Sequence, residues 1–203
     1  MAEDQKFIYY AAGRFRRPAG QAARRRTGAG QGYDVLLLTE DVDEFCLQIM
    51  RDYKEKEFKN INSGDLGLAT EEEKKAAEDA AAENKDLFEA IKTALNGKIK
   101  EVKANPTLQD HPVSLSSEGG LSMEMEKVLR KMPGNAEGME STKVLELNTT
   151  HPVFAALQAA QAAGDSDKVA KYSELLYDQA LLIEGLPIED PVAYAQLVCE
   201  LMK

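Results

Sequence analysis

The sequence predicts an α+β fold, and three observations predict it. Phe7 to Ala12 and Tyr33 to Thr39 (YDVLLLT) are short apolar runs rich in aromatic and β-branched residues, the pattern of buried strands. Apolar residues then recur at helical spacing in several separate segments, and the last quarter is helical throughout. Of the 203 residues 43% are apolar and 30% charged, enough chain for one large domain or two small ones, each with a core.

The first helix follows the second strand. Asp41 and Glu44 have capping-box spacing, and Val42, Phe45, Cys46, Ile49, Met50 and Tyr53 form a continuous apolar stripe expected to pack on the sheet. Glu57 to Ile61 reads as one more short strand before Asn62, Ser63, Gly64 and Gly67 break the pattern, and a domain boundary is placed near residue 70, giving domains 1–70 and 71–203. Thr70 and Glu73 form a second capping box, opening a helix of Ala, Glu and Lys that runs to Leu95 and is closed by Asn96 and Gly97. Only its second half, with Leu87, Phe88, Ile91 and Leu95, has residues to dock. The first half is expected to be solvated. Lys98 to Lys103, Val113 to Ser117 and Lys143 to Leu147 are candidate strands.

Between the last two lies a helix with Leu121, Met125, Val128, Leu129 and Met132 on one side and Glu124, Glu126, Lys127, Arg130 and Lys131 on the other. Four of the seven methionines fall between residues 123 and 139. Methionine is flexible and polarisable, so this face suits binding of varied apolar surfaces, and equally suits an ordinary core. Pro133, Gly134 and Gly138 end the helix in a loop.

Thr150, His151 and Pro152 start a helix running to Ala163, and Ser166 is placed to cap another, with Val169, Tyr172, Leu175, Leu176, Ala180 and Ile183 at helical spacing until Gly185. Asp190 and Pro191 are the N-cap and first residue of a third, with Tyr194, Ala195, Val198, Leu201 and Met202 on one side. Leu181, Leu182 and Leu197 fall outside these stripes, so the helices are apolar over more than one face. A second copy of the chain would bury that surplus, which predicts a homodimer formed as an intermolecular helix bundle.

With 25 basic and 35 acidic side chains the net charge is −10, which argues against nucleic acid as the main partner. No run approaches the roughly 18 apolar residues that span a bilayer, and the N-terminus lacks the pattern of a signal peptide, so a cytoplasmic protein without a membrane partner is expected. Cys46 and Cys199 read as two reduced thiols. His111 and His151 each precede a proline without a partner at metal-ligand spacing, and read as structural.

One segment contradicts the average charge. Between Asp4 and Asp34 there is no acidic residue, while Arg14, Arg16, Arg17, Arg24, Arg25 and Arg26 are six of the eight arginines. It reads as a basic arm for nucleic acid or an anionic surface, as a Gly/Ala/Arg loop, or as a stretch out of frame. Shifting the reverse-translated frame of Arg14 to Gln31 by one base permits DSVDRLAKLPAVELVLDK, an amphipathic helix of the kind a βαβ crossover requires. This third reading implies one base gained near Gly13 and one lost near Gly32.

Phosphate-loop, GxSxG and HExxH patterns are missing, and no Cys and His are placed for nucleophilic work. Asn148, Thr149 and Thr150 match a glycosylation triplet by letter only, and Glu189 with Asp190 is explained by capping. No catalytic, cofactor-binding or metal-binding residue is assigned, and the chain on its own is expected not to be an enzyme.

The runs FIYYAAG (Phe7 to Gly13), GYDVLLLTEDVDEF (Gly32 to Phe45), SSEGGLSMEMEKVLRKM (Ser116 to Met132), KVLELNTTHPV (Lys143 to Val153) and LLYDQALLIEGLPIEDP (Leu175 to Pro191) resemble the ninety-kilodalton heat-shock chaperone family in its bacterial HtpG branch. The resemblance covers nearly the whole chain, and the shifted-frame peptide shares it where the written arginines depart. It implies the end of the family's middle domain over 1–70, followed by a mixed α/β C-terminal domain with terminal dimerisation helices over 71–203. It implies a fragment whose ATPase domain, with its ATP and magnesium, lies upstream. It further implies that Leu121, Met125, Val128, Leu129 and Met132 contact non-native client proteins. Dimerisation falls to the helices of Asp167 to Glu184 and Asp190 to Met202, through Tyr172, Leu175, Leu176, Leu182, Ile183, Tyr194, Leu197, Val198 and Leu201. The alternative function is the basic-arm binding module.

Resequencing the DNA through Arg14 to Gln31 is expected to find the two compensating single-base errors. An unambiguous read encoding the arginines as written would end the frame reading.

Overall fold

The computed structural model describes residues 5–13, 33–64, 66–105, 108, 111–133 and 139–202. They form an α+β fold in two compact units, residues 1–68 with 117–141 and residues 69–116 with 142–203. The sequence division near 70 assigned the helix of Leu121 to Met132 to the second domain, whereas this grouping places it with the first unit. The arginine-rich stretch, with its three competing readings, lies outside the described residues, as do Gly134 and Gly138 of the loop expected after Pro133.

The first unit is built on a four-stranded sheet of β1 (Ile8–Ala12), β2 (Val35–Leu38), β3 (Asp52–Tyr53) and β4 (Lys56–Asn60), in the order β2-β1-β4-β3. β1 runs parallel to both neighbours, with Tyr9 opposite Val35 and Ile8 opposite Phe58. A strand covered on both faces reads as an unbroken apolar run, and the buried Tyr9, Tyr10 and Ala11 fit that rule. On one face Tyr9, Ala11 and Ile61 make a core joined by Phe7, Tyr33, Val35, Leu66 and Leu68, and the Tyr9 hydroxyl donates to the Leu66 carbonyl at 2.9 Å.

Two expectations for this unit need correction. β2, expected to be buried, exposes Leu36 and Leu37, because it is the edge strand and has β1 as its sole strand neighbour among the described residues. The stripe expected to pack on the sheet is also exposed. Helix α1 (Asp43–Met50) has no side-chain cap, and Val42, Cys46, Met50 and Ile49, the last 83% exposed, face solvent. The residue it buries is Glu44, at 3% exposure. Tyr53 leaves the helix for β3, which pairs antiparallel with β4 through Lys54 and Glu55, at φ of 51° and 64°. This is the left-handed backbone that a two-residue hairpin demands, and without an Asn-Gly pair at these positions it carries no signature in the residues themselves.

Glu44 is buried because three donors meet it there. Its Oε1 accepts from the Tyr10 hydroxyl at 3.1 Å and from Asn60 Nδ2 at 2.7 Å, and its Oε2 accepts from the Ser122 hydroxyl at 2.7 Å. Burial, and next the Glu44 carboxyl, push the Tyr10 phenol above its usual range, so it stays a donor.

The second unit carries a three-stranded sheet, β5 (Glu101–Ala104), β6 (Val113–Glu118) and β7 (Thr142–Leu147), in the order β5-β7-β6. The capping box at Thr70 forms as expected, with Thr70 Oγ1 accepting from Glu73 N at 3.1 Å and Glu73 Oε2 accepting from Thr70 N at 2.8 Å. The single helix expected from there to Leu95 is instead two, α2 (Glu71–Glu83) and α3 (Lys85–Ala94). They part at Asn84, which leaves the helical backbone with φ of −112° and ψ of 20°; its N–H still donates to the Ala80 carbonyl at 3.1 Å, and its side chain adds a second bond to the same oxygen at 2.8 Å. As expected, α2 buries nothing while Leu87, Phe88, Ile91 and Leu95 are core. α5 (Pro152–Ala162) and α6 (Ser166–Glu184) complete that core, with Phe88 and Phe154 edge to face at 6.2 Å. The cap of α6 is Asp165 rather than Ser166, its Oδ1 accepting from Lys168 N at 3.0 Å.

Replacing Thr70 by Ala is expected to lower stability by about 1 kcal/mol, read by urea denaturation. Glu44→Ala strands three buried or half-buried donors and is expected to cost more, about 3 kcal/mol in the same measurement, since each stranded group costs about 1–3 kcal/mol. Equal effects would show that Glu44 is not a structural hub.

Candidate functional site

The candidate site consists of two apolar surfaces. The first lies in the first unit on α4 (Met123–Arg130), which is capped by Ser122 accepting from Met125 N at 3.1 Å. The same Ser122 hydroxyl donates to Glu44, so one side chain both starts the helix and fixes it to the sheet unit. Of the five residues singled out in sequence, Met125 is buried, Leu121, Val128 and Leu129 are half-buried, and Met132 is exposed. The helix also buries Met123, which the stripe missed. Glu126, expected on the solvated side, is 1% exposed. Its Oε2 accepts from Ser141 N at 2.9 Å and Ser141 Oγ at 2.6 Å, and its Oε1 accepts from Arg130 Nε at 3.1 Å. Nothing in the spacing distinguishes Glu126 from Glu124; a distant serine does.

Beside α4 lies a small cleft lined by Gly13, Glu40, Asp41, Glu124, Met125 and Val128 among others. Gly13 has φ of 135°, and a Cβ there would meet the Glu124 carboxyl at 3.3 Å, so any side chain would press on α4.

The second surface lies in the second unit on the end of α6 and on α7 (Pro191–Leu201). α6 ends at Gly185, with φ of 69°, and the Leu186 N–H reaches back to the Leu181 carbonyl at 2.8 Å, closing the last turn. Asp190 Oδ1 then accepts from Val192 N at 3.0 Å and Ala193 N at 2.9 Å, so α7 starts where its Asp-Pro pair predicts. Leu176 is buried within its own unit, Tyr172, Leu175, Tyr194, Leu197, Val198 and Leu201 are half-buried, and Leu182 and Ile183 are exposed. No residue of α7 is buried, and Met202 just beyond it is 81% exposed. A Lys171–Glu200 ion pair links α6 to α7.

A charged cluster lies in the same unit. Lys98 pairs with Glu174 and, at 3.6 Å, with Glu189, and its ammonium lies 5.6 Å from the Tyr177 ring centroid. Burial pushes Lys98 down, but Glu174, Glu189 and Asp178 together raise it on balance. Asp178, buried on α6, is pushed up to about 6 by burial and then by Glu174 and Glu189, with Lys98 opposing.

Other candidate groups have structural placements. His151 caps α5 through Nδ1, which accepts from Val153 N at 3.2 Å. Asn148 of the triplet is 1% exposed, with its Oδ1 accepting from Thr150 N at 3.0 Å and its Nδ2 donating to the His111 carbonyl at 3.2 Å, so a glycan has no room there. Among the described residues, no group of three or more His, Cys, Asp or Glu side chains is placed to hold a metal ion, and no helix is long and apolar enough to cross a membrane. No residue is assigned to ATP or magnesium.

The family model described as Hsp90 protein matches residues 1–203. The chain belongs to the Hsp90 family. It is 50% identical over 202 residues to "Chaperone protein HtpG" of Halalkalibacterium halodurans, an alignment covering 100% of this chain and 32% of that protein. It is 51% identical over 203 residues to the protein of that name from Clostridium perfringens and 49% to that from Clostridium acetobutylicum, with the same coverage in both. The chain thus spans about a third of the length of these curated relatives, all named as chaperones. Membership overturns the expectation that the chain is not an enzyme. All 203 residues are matched by the model of a family whose resemblance carries an ATPase, and missing motifs in a third of such a protein have no force against it. Nothing in the match favours the basic-arm module.

Stability is expected to respond to Asp178 with a definite sign. Its folded pKa of about 6 exceeds the usual 3.8, so the folded chain takes up a proton that the unfolded chain does not as pH falls from about 6 towards 3.8, and its contribution to stability rises in that window. Thermal melts should therefore show Asp178→Asn stabilised relative to the parent at pH above this window, with the difference shrinking as pH falls through it. A difference independent of pH would refute the assignment.

Proposed function

We propose that this chain is the dimerising, client-holding part of a cytoplasmic Hsp90-family chaperone. The observation that carries this reading is α7, eleven residues rich in Val, Leu, Tyr and Ala, none of them buried in the single chain. Beside it stand the exposed Leu182 and Ile183. A monomeric protein rarely leaves so much apolar helix wet, and a second copy laying its own α6 and α7 against this pair would remove it from water.

The mechanism in this reading is apolar holding. The half-buried Leu121, Val128 and Leu129, with exposed Met132 at the end of the ridge, offer a shallow adaptable surface to non-native proteins. Each contact is weak. Two ridges joined by one dimer multiply them, because binding at the first raises the effective concentration of the client at the second. The family membership and the chaperone names of the relatives support the reading.

Leu197→Asp together with Leu201→Asp is expected to convert a dimer into monomers at tens of micromolar in sedimentation, with the helical signal retained. A parent chain that is already monomeric would end the dimer reading. Separately, Leu129→Ser with Met132→Ser is expected to weaken suppression of client aggregation several-fold while leaving the dimer intact. If holding is unchanged and stability instead falls by about 2–5 kcal/mol, the ridge belongs to the core.

A further inference from the structure

The reversal between α3 and β5 has a chemistry that the proposed function does not use. α3 ends at Ala94, and the chain turns back through Asn96 and Gly97, both exposed, between the buried Leu95 and Ile99. Both turn residues hold left-handed backbone, with φ of 41° at Asn96 and 86° at Gly97. The Asn96 N–H donates to the Thr93 carbonyl at 3.2 Å and the Lys98 N–H to the Leu95 carbonyl at 2.9 Å, whereas the Gly97 N–H donates no hydrogen bond among the described residues. A Cβ at Gly97 would meet nothing within 4 Å, so the turn stands open to solvent. This is also the one Asn-Gly pair in the sequence.

We propose that Asn96 is a spontaneous modification site, where the exposed turn converts asparagine to aspartate and isoaspartate through a cyclic imide. The Gly97 backbone nitrogen attacks Asn96 Cγ. The new N–Cγ bond closes a five-membered ring, the Cγ–Nδ2 bond breaks, and ammonia leaves carrying the proton that Gly97 has lost. Water then opens the imide at either carbonyl, giving a normal aspartyl or an isoaspartyl linkage. Glycine, lacking a Cβ, leaves the approach to its nitrogen unhindered, and a nitrogen without a hydrogen bond is free to turn towards the side chain. Asparagine is among the thermolabile side chains, and nothing in this turn protects it.

The product changes two things. It places a carboxylate two residues before Lys98, whose ammonium already serves Glu174 and Glu189. In the isoaspartyl form it also lengthens the main chain by one carbon between the core anchors Leu95 and Ile99. An altered turn would loosen the seat of α3 against α6.

The chain carries its own controls. Asn62 is followed by Ser63, whose N–H is held by the Asn60 carbonyl at 3.0 Å, and Asn84 is followed by Lys85 at the start of a helix. Holding the purified folded chain at mildly alkaline pH and mapping its peptides by mass spectrometry is expected to show amide-to-acid conversion at Asn96 roughly tenfold faster than at Asn62 or Asn84. The rate should rise with pH, since the attacking nitrogen must lose its proton, and part of the product should be isoaspartyl. Asn96→Gly should abolish the product while leaving the melting profile close to that of the parent, since glycine accepts the left-handed backbone with φ of 41°. Conversion at Asn96 no faster than at Asn62, or product without any isoaspartyl form, would overturn the proposal.

Discussion

A carboxyl group removed from water has to be met by donors, and the first unit is organised around meeting one. Glu44 draws the Tyr10 hydroxyl from β1, the Asn60 amide from the end of β4 and the Ser122 hydroxyl from the cap of α4. These residues lie up to 78 positions from Glu44 in the chain. The alternative, a buried acid with no partner, costs several kcal/mol, so the three segments are held together by the penalty for parting as much as by the bonds themselves. Ser122 gives the arrangement its consequence for function. Its oxygen accepts from Met125 N while its hydrogen goes to Glu44, so the start of α4 is pinned, while Met132, just past its far end, is exposed.

The same device recurs. Glu126 is met by Ser141 and Arg130, and in the second unit Glu146 accepts from Asn105 at 2.6 Å, Ser114 at 3.1 Å and Ser116 at 2.6 Å. Glu44 and Glu146 are matched by neutral hydroxyl and amide donors, while Glu126 divides its oxygens between Ser141 and the Arg130 guanidinium. Neutral donors give up less hydration on burial than a second charge would, and they leave the acid fixed in direction. Asp178 shows the contrasting case, in which a buried acid shares one lysine with two other carboxylates and its affinity for a proton rises.

Local grammar was legible at several helix ends where the decisive partner lies within four residues, although the capping box expected at Asp41 and Glu44 does not form and α6 is capped by Asp165. The Thr70 capping box, the Asp190–Pro191 start, the Gly185 stop and the docking stripe of Leu87, Phe88, Ile91 and Leu95 could all be read before any tertiary contact was known. Errors fell where periodicity was asked to say which side faces in. The α1 stripe of Val42, Cys46, Ile49 and Met50 has the spacing of a core face, yet it is exposed and the acid between its members is buried. Both the stripe and Glu44 lie on helical spacing; only the presence of Tyr10, Asn60 and Ser122 on one side decides between them. Asn84, where α2 gives way to α3, likewise differs too little in helix propensity from its neighbours to announce the break.

For the two surfaces, composition marked the segments and the tertiary structure sorted their members. The methionine-rich helix and the apolar ends of α6 and α7 stand out from sequence because so many large apolar residues crowd into short spans. That Met125 and Leu176 are spent inside their own units, while Met132, Leu182 and Ile183 stay in water, follows from packing against strands and helices distant in the chain. By itself the sequence determined the α+β class, most element ends and the family resemblance, since these rest on short-range propensity and on residue identity. Which acids are buried and which apolar faces remain exposed were decided by the tertiary structure alone, because burial depends on what the rest of the chain places opposite a residue.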